Sequence, residues 1–492
     1  MAEKKDSQIS INELAVFCKK KGFVFPSSEI YNGLSGFWDF GPLGVELFNN
    51  IRASWWRNFV HNRRDMVGLD ASIISHPRTW KASGHLESFS DISIQCSKCK
   101  KINKIDKAEI GKAVCEFCGG ALDASTAKEI KLLFPVPIGS DGMTAYLRGE
   151  TAQGMFTDFK QVAETMRMKL PFGIAQVGSC FRNEIAPRDF LFRCREFHIA
   201  ELEFFINPEE KKCALLDDEH RNLRLRLLDA KSQESGSAAL GALRDATIRQ
   251  MVEEGLLDEW HAYWLAEQVM WYLSTGLEPE RIKIRQHIRS ELSHYSSATF
   301  DIDYEYPFGS KELGGIANRG QYDLSRHMKE SGESMEYFDE AAKKKVIPRV
   351  IEPTFGMERA FLAILVSAYN YDKERGNIVL KVKPELAPVK VAVFPLLSNK
   401  PELTNIAAAV YCELARDFNC IYDRSGSIGR RYARQDEIGT PFCITVDFDS
   451  IEKRDVTIRD RDSTKQVRVL IPELKGTIRA LISGEKKFSE LL

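Results

Sequence analysis

Apolar residues in the first half of the chain come in short runs. Residues 174–180 and 201–206 have the length and composition of buried strands, and residues 298–306 return to the same pattern. Between them the chain turns charged and amphipathic. Residues 208–231 and 248–272 predict two helices, with a loop composition (Ser232-Gln-Glu-Ser-Gly-Ser) separating them. The block 208–285 therefore reads as a helical insertion in a β-rich domain. An apolar helix is predicted over 357–368. Residues 373–388 carry charge, glycine and two prolines, and read as a linker. Beyond it come a strand at 389–394 and a helix at 401–418 that starts at Pro401. That helix places Leu403, Ile406, Ala407, Val410 and Leu414 on one face. Further strands at 420–422, 442–446 and 456–459 complete a small α/β domain.

A chain of 492 residues is too long for one hydrophobic core and suggests two to four domains. Its hydrophobic content of 43% and charged content of 28% are ordinary for a globular protein. The net charge of −1 supplies no global field for nucleic acid, so any RNA contact must come from local Arg and Lys clusters. The first residues are polar with no apolar signal core behind them, and the richest apolar run, 360–366, is too short to span a bilayer. A cytoplasmic location without membrane association is the expectation.

In a chain of this kind, eleven cysteines point to metal binding or buried thiols more than to disulfides. Cys18, Cys180, Cys194, Cys213, Cys412, Cys420 and Cys443 are scattered and read as small buried apolar residues. The other four are paired. Cys96-x-x-Cys99 and Cys115-x-x-Cys118 stand fifteen residues apart, with Gly119-Gly120 after the second pair. Two such knuckles place four thiolates around a tetrahedral ion, which predicts a zinc ribbon over 96–120. Four sulfur ligands leave no open position, so the metal is expected to be structural. Lys98, Lys100, Lys101, Lys104 and Lys107 would permit RNA contact, although lysine runs are commonly solvated faces.

Three separated segments carry candidate chemistry. Residues 36–44 precede a helix with Phe48, Ile51, Trp55 and Phe59 at helical spacing and Pro42 at its start. In the second, Arg182-Asn183-Glu184 leads through a loop with Pro187 and Arg188 to residues 192–197. Two arginine-bearing strands joined by a basic loop suit a polyphosphate, because guanidinium groups offer bidentate donors. The third, residues 352–359, opens the apolar helix with Gly356 at the turn. Arg359 falls in the first helical turn, where a cation is misplaced unless it faces an anion. No Walker A loop is present, so ATP would not be held in that manner. His198 has no nucleophile or dyad partner at a suggestive spacing and reads as a structural group.

In this order the three segments resemble the signature motifs of class II aminoacyl-tRNA synthetases, and in detail the glycyl-tRNA synthetase family. The likeness covers nearly the whole chain; its diagnostic stretches are residues 76–85, 147–154, 181–203, 311–319 and 352–359. It implies an α+β catalytic domain on an antiparallel sheet over 1–386, interrupted by the zinc ribbon and the helical insertion. An α/β anticodon-binding domain would follow over 387–492. It also implies glycyl-adenylate formation from glycine and ATP, transfer to tRNA(Gly), and a homodimer formed through the first motif's helix.

The same likeness assigns residues. Arg182 would hold the α-phosphate and the transition state, Glu184 the adenine region and Arg193 the terminal phosphates. Phe197 and Arg359 would sandwich the adenine. Asn183, Phe192, Leu313 and Gly356 complete the ATP set, and Glu312 would bind Mg2+ as a hard carboxylate ligand. Arg78, Glu150, Phe197, Glu201, Arg319, Glu352 and Thr354 would receive glycine. Gathered carboxylates repel one another unless a cation sits among them, and an ammonium group suits that place. Thr354 stands where the family usually has Ser. Residues 430–434 and 457–461 offer arginines and Tyr432 to anticodon bases, or else surface ion pairs. The rivals are a class II synthetase for another amino acid and a non-catalytic accessory relative; retention of Arg182, Glu184, Phe197, Glu312 and Arg359 disfavours the second.

Overall fold

The structure is a computed structural model that describes residues 9–105, 107–234, 243–293 and 295–492. At its centre is a nine-stranded sheet. In chain order its strands are β1 (Met66–Gly68), β2 (Phe172–Phe181), β3 (Glu196–Ile206), β4 (Arg224–Leu228), β5 (Arg244–Thr247), β6 (Ile282–Gln286), β7 (Ala298–Tyr306), β8 (Gly309–Gly320) and β9 (Arg349–Gly356). Across the sheet they run β5-β4-β6-β7-β8-β9-β3-β2-β1. The run from β6 to β2 is antiparallel throughout; β4–β6 and β1–β2 are parallel joins towards the edges.

One face of this sheet is packed by helices. Alternation along β3 sends Ala200, Leu202 and Phe204 into the core and leaves Glu201 and Glu203 on the other face. The covering helices are α1 (Pro42–Trp56), α2 (Glu259–Ser274) and α3 (Met357–Ala368). The Trp55, Trp271 and Tyr272 rings all lie within 5.6 Å of Phe355. Pro42 occupies the first turn of α1, where its missing N–H leaves nothing unpaired. Gly44 is required two residues on, since a Cβ there would lie 1.8 Å from the Phe23 carbonyl oxygen.

Two expectations are corrected. The block 208–285 is a mixed insertion, not a helical one. It contributes β4, β5 and β6 to the sheet, and apart from α2 its helices are short: Asp218–Asn222, Ala230–Glu234 and Ile248–Glu253. The physical reason is a period of two over 224–227. Leu225 and Leu227 are buried, while Arg224 and Arg226 are exposed, an alternation hidden by the high charge. The predicted loop begins inside the helix Ala230–Glu234, and residues 235–237 lie outside the described residues. Residues 373–388 are not a free linker either. The strand Asn377–Leu380 pairs with Tyr369–Asp372, and Val379, Leu380, Val382, Leu386 and Ala387 are buried. Arg375 donates to the Arg461 carbonyl at 2.8 Å, fastening the hairpin to the C-terminal part.

That part holds a five-stranded sheet of β10 (Val391–Pro395), β11 (Cys420–Tyr422), β12 (Phe442–Val446), β13 (Asp455–Asp460) and β14 (Gln466–Leu470), ordered β11-β10-β12-β13-β14. Its first three strands are parallel and the last two antiparallel. The helices Pro401–Leu414 and Ile471–Ser483 supply Leu403, Val410, Leu474 and Ile478 to its core. Cys412 is exposed and Cys420 half-buried, unlike the other five scattered cysteines, which are buried as expected. Among the described residues, no helix is long and apolar enough to cross a membrane.

Candidate active site

On the open face of the sheet, β3, β8, β9 and the first turn of α3 line a cavity of ≈ 250 Å³. The second segment supplies Arg182, Glu184, Phe192, Arg193 and Phe197 to its lining; the third supplies Thr354, Gly356 and Arg359, and β8 supplies Glu312. Arg182 and Arg359 therefore meet on one cavity, although far apart in sequence.

The cavity's cations are held in set positions. Arg182 Nε donates to the Gly149 carbonyl at 3.0 Å, and its guanidinium stands 5.4 Å from the Phe197 ring centroid. Arg359 lies 4.5 Å from the Phe192 ring centroid, and its Nη1 is 3.1 Å from a Glu312 carboxylate oxygen. This anion answers the misplaced cation at the start of α3. Burial works against the Arg359 charge, yet Glu312 keeps its pKa above the ordinary value. Arg193 is 3.8 Å from Glu184. The Asn183 N–H donates to the Leu132 carbonyl at 2.8 Å. The Leu313 side chain is fully buried in the core, on the opposite face from Glu312. Gly314 has no room for a side chain: a Cβ would lie 2.6 Å from both the Thr354 carbonyl oxygen and the Tyr272 hydroxyl. Guanidinium groups beside aromatic faces form a surface for a polyphosphate and a flat base.

Next to this cavity, buried acids gather around one arginine. Arg319 donates from Nη1 to Glu352 at 2.7 Å, and from Nε and Nη2 to Asp323 at 2.7 and 2.8 Å. The Tyr295 ring caps it, 3.9 Å away. Glu150 is 3.9 Å from Arg319 and 3.1 Å from His85 Nε2. Burial opposes its charge, but the His85 ring and Arg319 hold the Glu150 carboxyl well below the usual carboxylate range. Glu201 accepts from the backbone N–H groups of Thr151 and Ala152 at 2.7 and 3.0 Å. Burial and neighbouring Glu150 nevertheless raise its pKa. Burial, opposed by Arg319 and assisted by Glu201 and Glu150, pushes Glu352 up to about 8. Glu203 is wholly buried with no hydrogen-bond partner on either oxygen. The register pairs Glu201↔Thr354 and Phe204↔Ile351 put Glu352 beside it, and burial together with that neighbour raises its pKa well above the usual range. Such a pocket has an excess of negative charge that a small cation would relieve.

Arg78 stands apart from this cluster. Its side chain is 57% exposed and pairs with Glu330 at 3.1 Å. Thr354 lines the cavity and is register-paired with Glu201 of the acid cluster, while its carbonyl accepts from Gln268 Nε2 of α2 at 2.8 Å. His198 is hydrogen-bonded to Glu358 at 2.7 Å and to Ser179 at 3.2 Å, which makes it a satisfied group. It sits on the helix-packed face, its ring 4.8 Å from that of Phe48.

The four paired cysteines come together. Cys96 and Cys118 sulfurs are 3.6 Å apart, Cys99 and Cys115 sulfurs 3.5 Å, and all four lie within 4.8 Å of one another. A tetrahedron with metal–sulfur bonds of ~2.3 Å has sulfur–sulfur edges of ~3.8 Å, so the donor set fits such an ion. The cluster caps a three-stranded sheet in which Ser90–Cys96 lies between Ile102–Ile105 and Leu122–Lys131.

Several candidate RNA-binding arginines are structural. Arg431 is buried and donates to the Pro395 and Gly426 carbonyls. Arg459 makes a bidentate pair with Asp436 at 2.8 and 3.0 Å, and Arg461 donates to the Gly439 carbonyl at 2.8 Å. Arg434 pairs with Asp423; Arg430 is left exposed. Of the three arginines on the helix Ile428–Ile438 only Arg431 turns inward; the buried Arg459 and Arg461 lie on and just after β13.

An antiparallel floor, the second and third motif segments converging on one cavity and a trailing α/β unit define the class II aminoacyl-tRNA synthetase fold. Solved structures agree: prolyl-tRNA synthetase from Cryptosporidium parvum, complexed with halofuginone and AMPPNP, superposes with a TM-score of 0.58 over 96% of this chain and 77% of that one, at 15% identity. The family profile "Anticodon binding domain" matches residues 390–481. Among curated proteins, Glycine–tRNA ligase of Geobacillus thermodenitrificans is 42% identical over 508 aligned positions, spanning 97% of this chain and 98% of the relative. The Treponema denticola enzyme of that name is 40% identical, spanning 98% and 99%. The chain belongs to the glycine–tRNA ligase family.

Several members of the acid cluster escape sequence reasoning: His85, Thr151, Gln153, Glu203 and Asp323. His85, Thr151, Gln153 and Glu203 fall inside stretches that the family likeness marked, which was the available signal for the first three; Glu203 also stands in the apolar run 202–206. Asp323 follows Arg319 by one helical turn's spacing, which reads as a surface pair until burial is known.

Proposed function

We propose that this chain activates glycine with ATP and transfers the glycyl group to tRNA(Gly). The observation that carries the reading is adjacency: a cavity lined by Arg182, Arg193, Arg359 and aromatic rings adjoins a buried pocket of carboxylates around Arg319. Glycine's ammonium group would sit among Glu150, Glu201 and Glu352, with its carboxylate turned towards Arg182. A carboxylate oxygen attacks the α-phosphorus, forming the mixed anhydride while pyrophosphate leaves. The terminal ribose hydroxyl of the tRNA then attacks the glycyl carbonyl, losing its proton as AMP departs. Negative charge grows on phosphate oxygens in the first step, and Arg182 and Arg359 stabilise it where it develops. Thr354 and the dense packing behind it exclude substrates with a side chain, because a methyl without space meets hard repulsion.

The half-exposed Glu312 carboxylate, a hard oxygen donor beside the phosphate-facing arginines, would hold Mg2+, whose charge offsets that of the phosphates. The four cysteines would hold Zn2+ as a closed structural ion that fixes the ribbon at 96–120. Our domain division is a catalytic domain over 1–386 and an anticodon-binding domain over 387–492. A homodimer fits Ile30, Tyr31, Leu34 and Val45, apolar side chains exposed in and around the first motif, and its place would be the cytoplasm, where charged tRNA is used.

ATP–pyrophosphate exchange with a panel of amino acids tests the reading. Glycine alone should support exchange, and the protein should then charge glycine onto total tRNA. Exchange with proline or threonine but not glycine would overturn the substrate assignment.

A further inference from the structure

The four-cysteine unit reaches the nucleotide cavity. Lys104, on the strand Ile102–Ile105, lines that cavity together with Arg182, Glu184 and Arg193. It differs from the unit's other lysines: Lys98, Lys100, Lys101 and Lys107 are exposed, whereas Lys104 is half-buried. Its ammonium is 2.7 Å from the Asp91 carboxylate on the adjacent strand. An ammonium has three N–H donors, so this tether leaves donors free for the cavity.

The unit is also fastened to the cavity's own walls. Glu116, lying between the two cysteines of the second knuckle, pairs with Arg188 at 2.5 Å, in the loop joining β2 to β3. Asn103, next to Lys104, accepts from the Glu116 N–H at 3.0 Å, so the tip and the lysine strand move together. At the unit's exit, the Leu132 carbonyl accepts from Asn183. In and beside the lining, Glu312 faces Arg359, Glu184 faces Arg193 and Asp91 faces Lys104, so a polyphosphate would be held by the N–H donors that these single contacts leave free.

We propose that Lys104 is a nucleotide-binding residue that presents its ammonium to the phosphates of ATP, making the four-cysteine unit one wall of the nucleotide site. This rests on the ATP reading above and adds a residue to it. It also separates Lys104 from the exposed lysines, whose natural partner is solvent or RNA.

The test uses the full chain. In exchange assays, Lys104→Met keeps the apolar stem and removes the charge, Lys104→Arg keeps the charge, and Lys107→Met is the exposed control. Loss of a charge-assisted contact of this kind corresponds to about a tenfold rise in the KM for ATP. The glycine KM should stay within about twofold, Lys104→Arg should recover most of the loss, and Lys107→Met should match the wild type. Lysine-directed labelling read by mass spectrometry needs no mutation: saturating Mg-ATP should protect Lys104 several-fold and leave Lys98 and Lys100 unprotected. An unchanged ATP KM in folded Lys104→Met, absence of protection by ATP, or a change confined to the KM for tRNA would each overturn the proposal. Absence of exchange in the wild type would instead refute the underlying ATP reading.

Discussion

Removing Arg319 should damage the fold as well as the activity, by an amount that depends on pH. Arg319 is the guanidinium bonded within the acid cluster, with one contact to Glu352 and two to Asp323. Arg319→Met keeps much of the volume and deletes these bonds. Breaking a buried ion pair from one side costs about 3–5 kcal/mol, because the remaining charge is stranded. Two carboxylates lose a partner here, but the costs do not simply double. Glu352, already pushed up to about 8, is mostly protonated at neutral pH, so Asp323 carries most of the penalty. Asp323 keeps one bond, from Gln153 Nε2 at 3.1 Å. We therefore expect about 3–5 kcal/mol at pH 8. A buried carboxylate stranded in the variant is relieved by taking up a proton, so the loss should shrink by up to about 1.4 kcal/mol per pH unit as the pH falls. Urea unfolding followed by tryptophan fluorescence reports on the core that contains Trp260, Trp264 and Trp271. A loss below about 1 kcal/mol at pH 8, or a loss that does not change between pH 8 and pH 5, would refute the reasoning.

Glu203→Gln should shift stability the opposite way. The raised pKa of Glu203 means the folded state holds its proton more tightly, so its penalty is absent below the unfolded value of ~4.3 and grows by up to about 1.4 kcal/mol per pH unit above it; the variant should be up to about 4 kcal/mol more stable than the wild type at pH 7.5 and equal to it at pH 4.5, and equal stability at both would contradict this. Arg182→Ala should abolish adenylate formation while far-UV circular dichroism stays unchanged, and exchange at the wild-type rate would remove Arg182 from the mechanism. Cys118→Ser should lower bound zinc measured by elemental analysis and expose the ribbon at 96–120 to proteolysis; full zinc content in the variant would break the four-ligand assignment.

The C-terminal unit was the most legible part of the sequence. Its strand at 442–446 falls where a mainly apolar run places it, because a central strand with a parallel neighbour is buried on both faces, and the half-buried edge strand at 420–422 falls where expected too. The same rule fails for β4, where Arg224 and Arg226 alternate with Leu225 and Leu227 and high charge imitates an amphipathic helix. Residues 373–388 failed for another reason: glycine and proline mark turns, and a turn within a packed hairpin looks the same in sequence as a linker.

Local chemistry was determined by the sequence itself. The cysteine spacing dictates that four thiols can meet, and Pro42 with Gly44 dictates how α1 begins against Phe23. Which charges are buried was decided only by the tertiary structure. Arg319, Arg431 and Arg459 are alike as letters, yet one centres an acid pocket and two brace the C-terminal unit. A charged group's role depends on its desolvation and on partners brought from distant strands, and neither is encoded within a few residues of it. Lys104 makes the same point: only the folded insertion separates it from four neighbouring lysines and turns it towards the cavity.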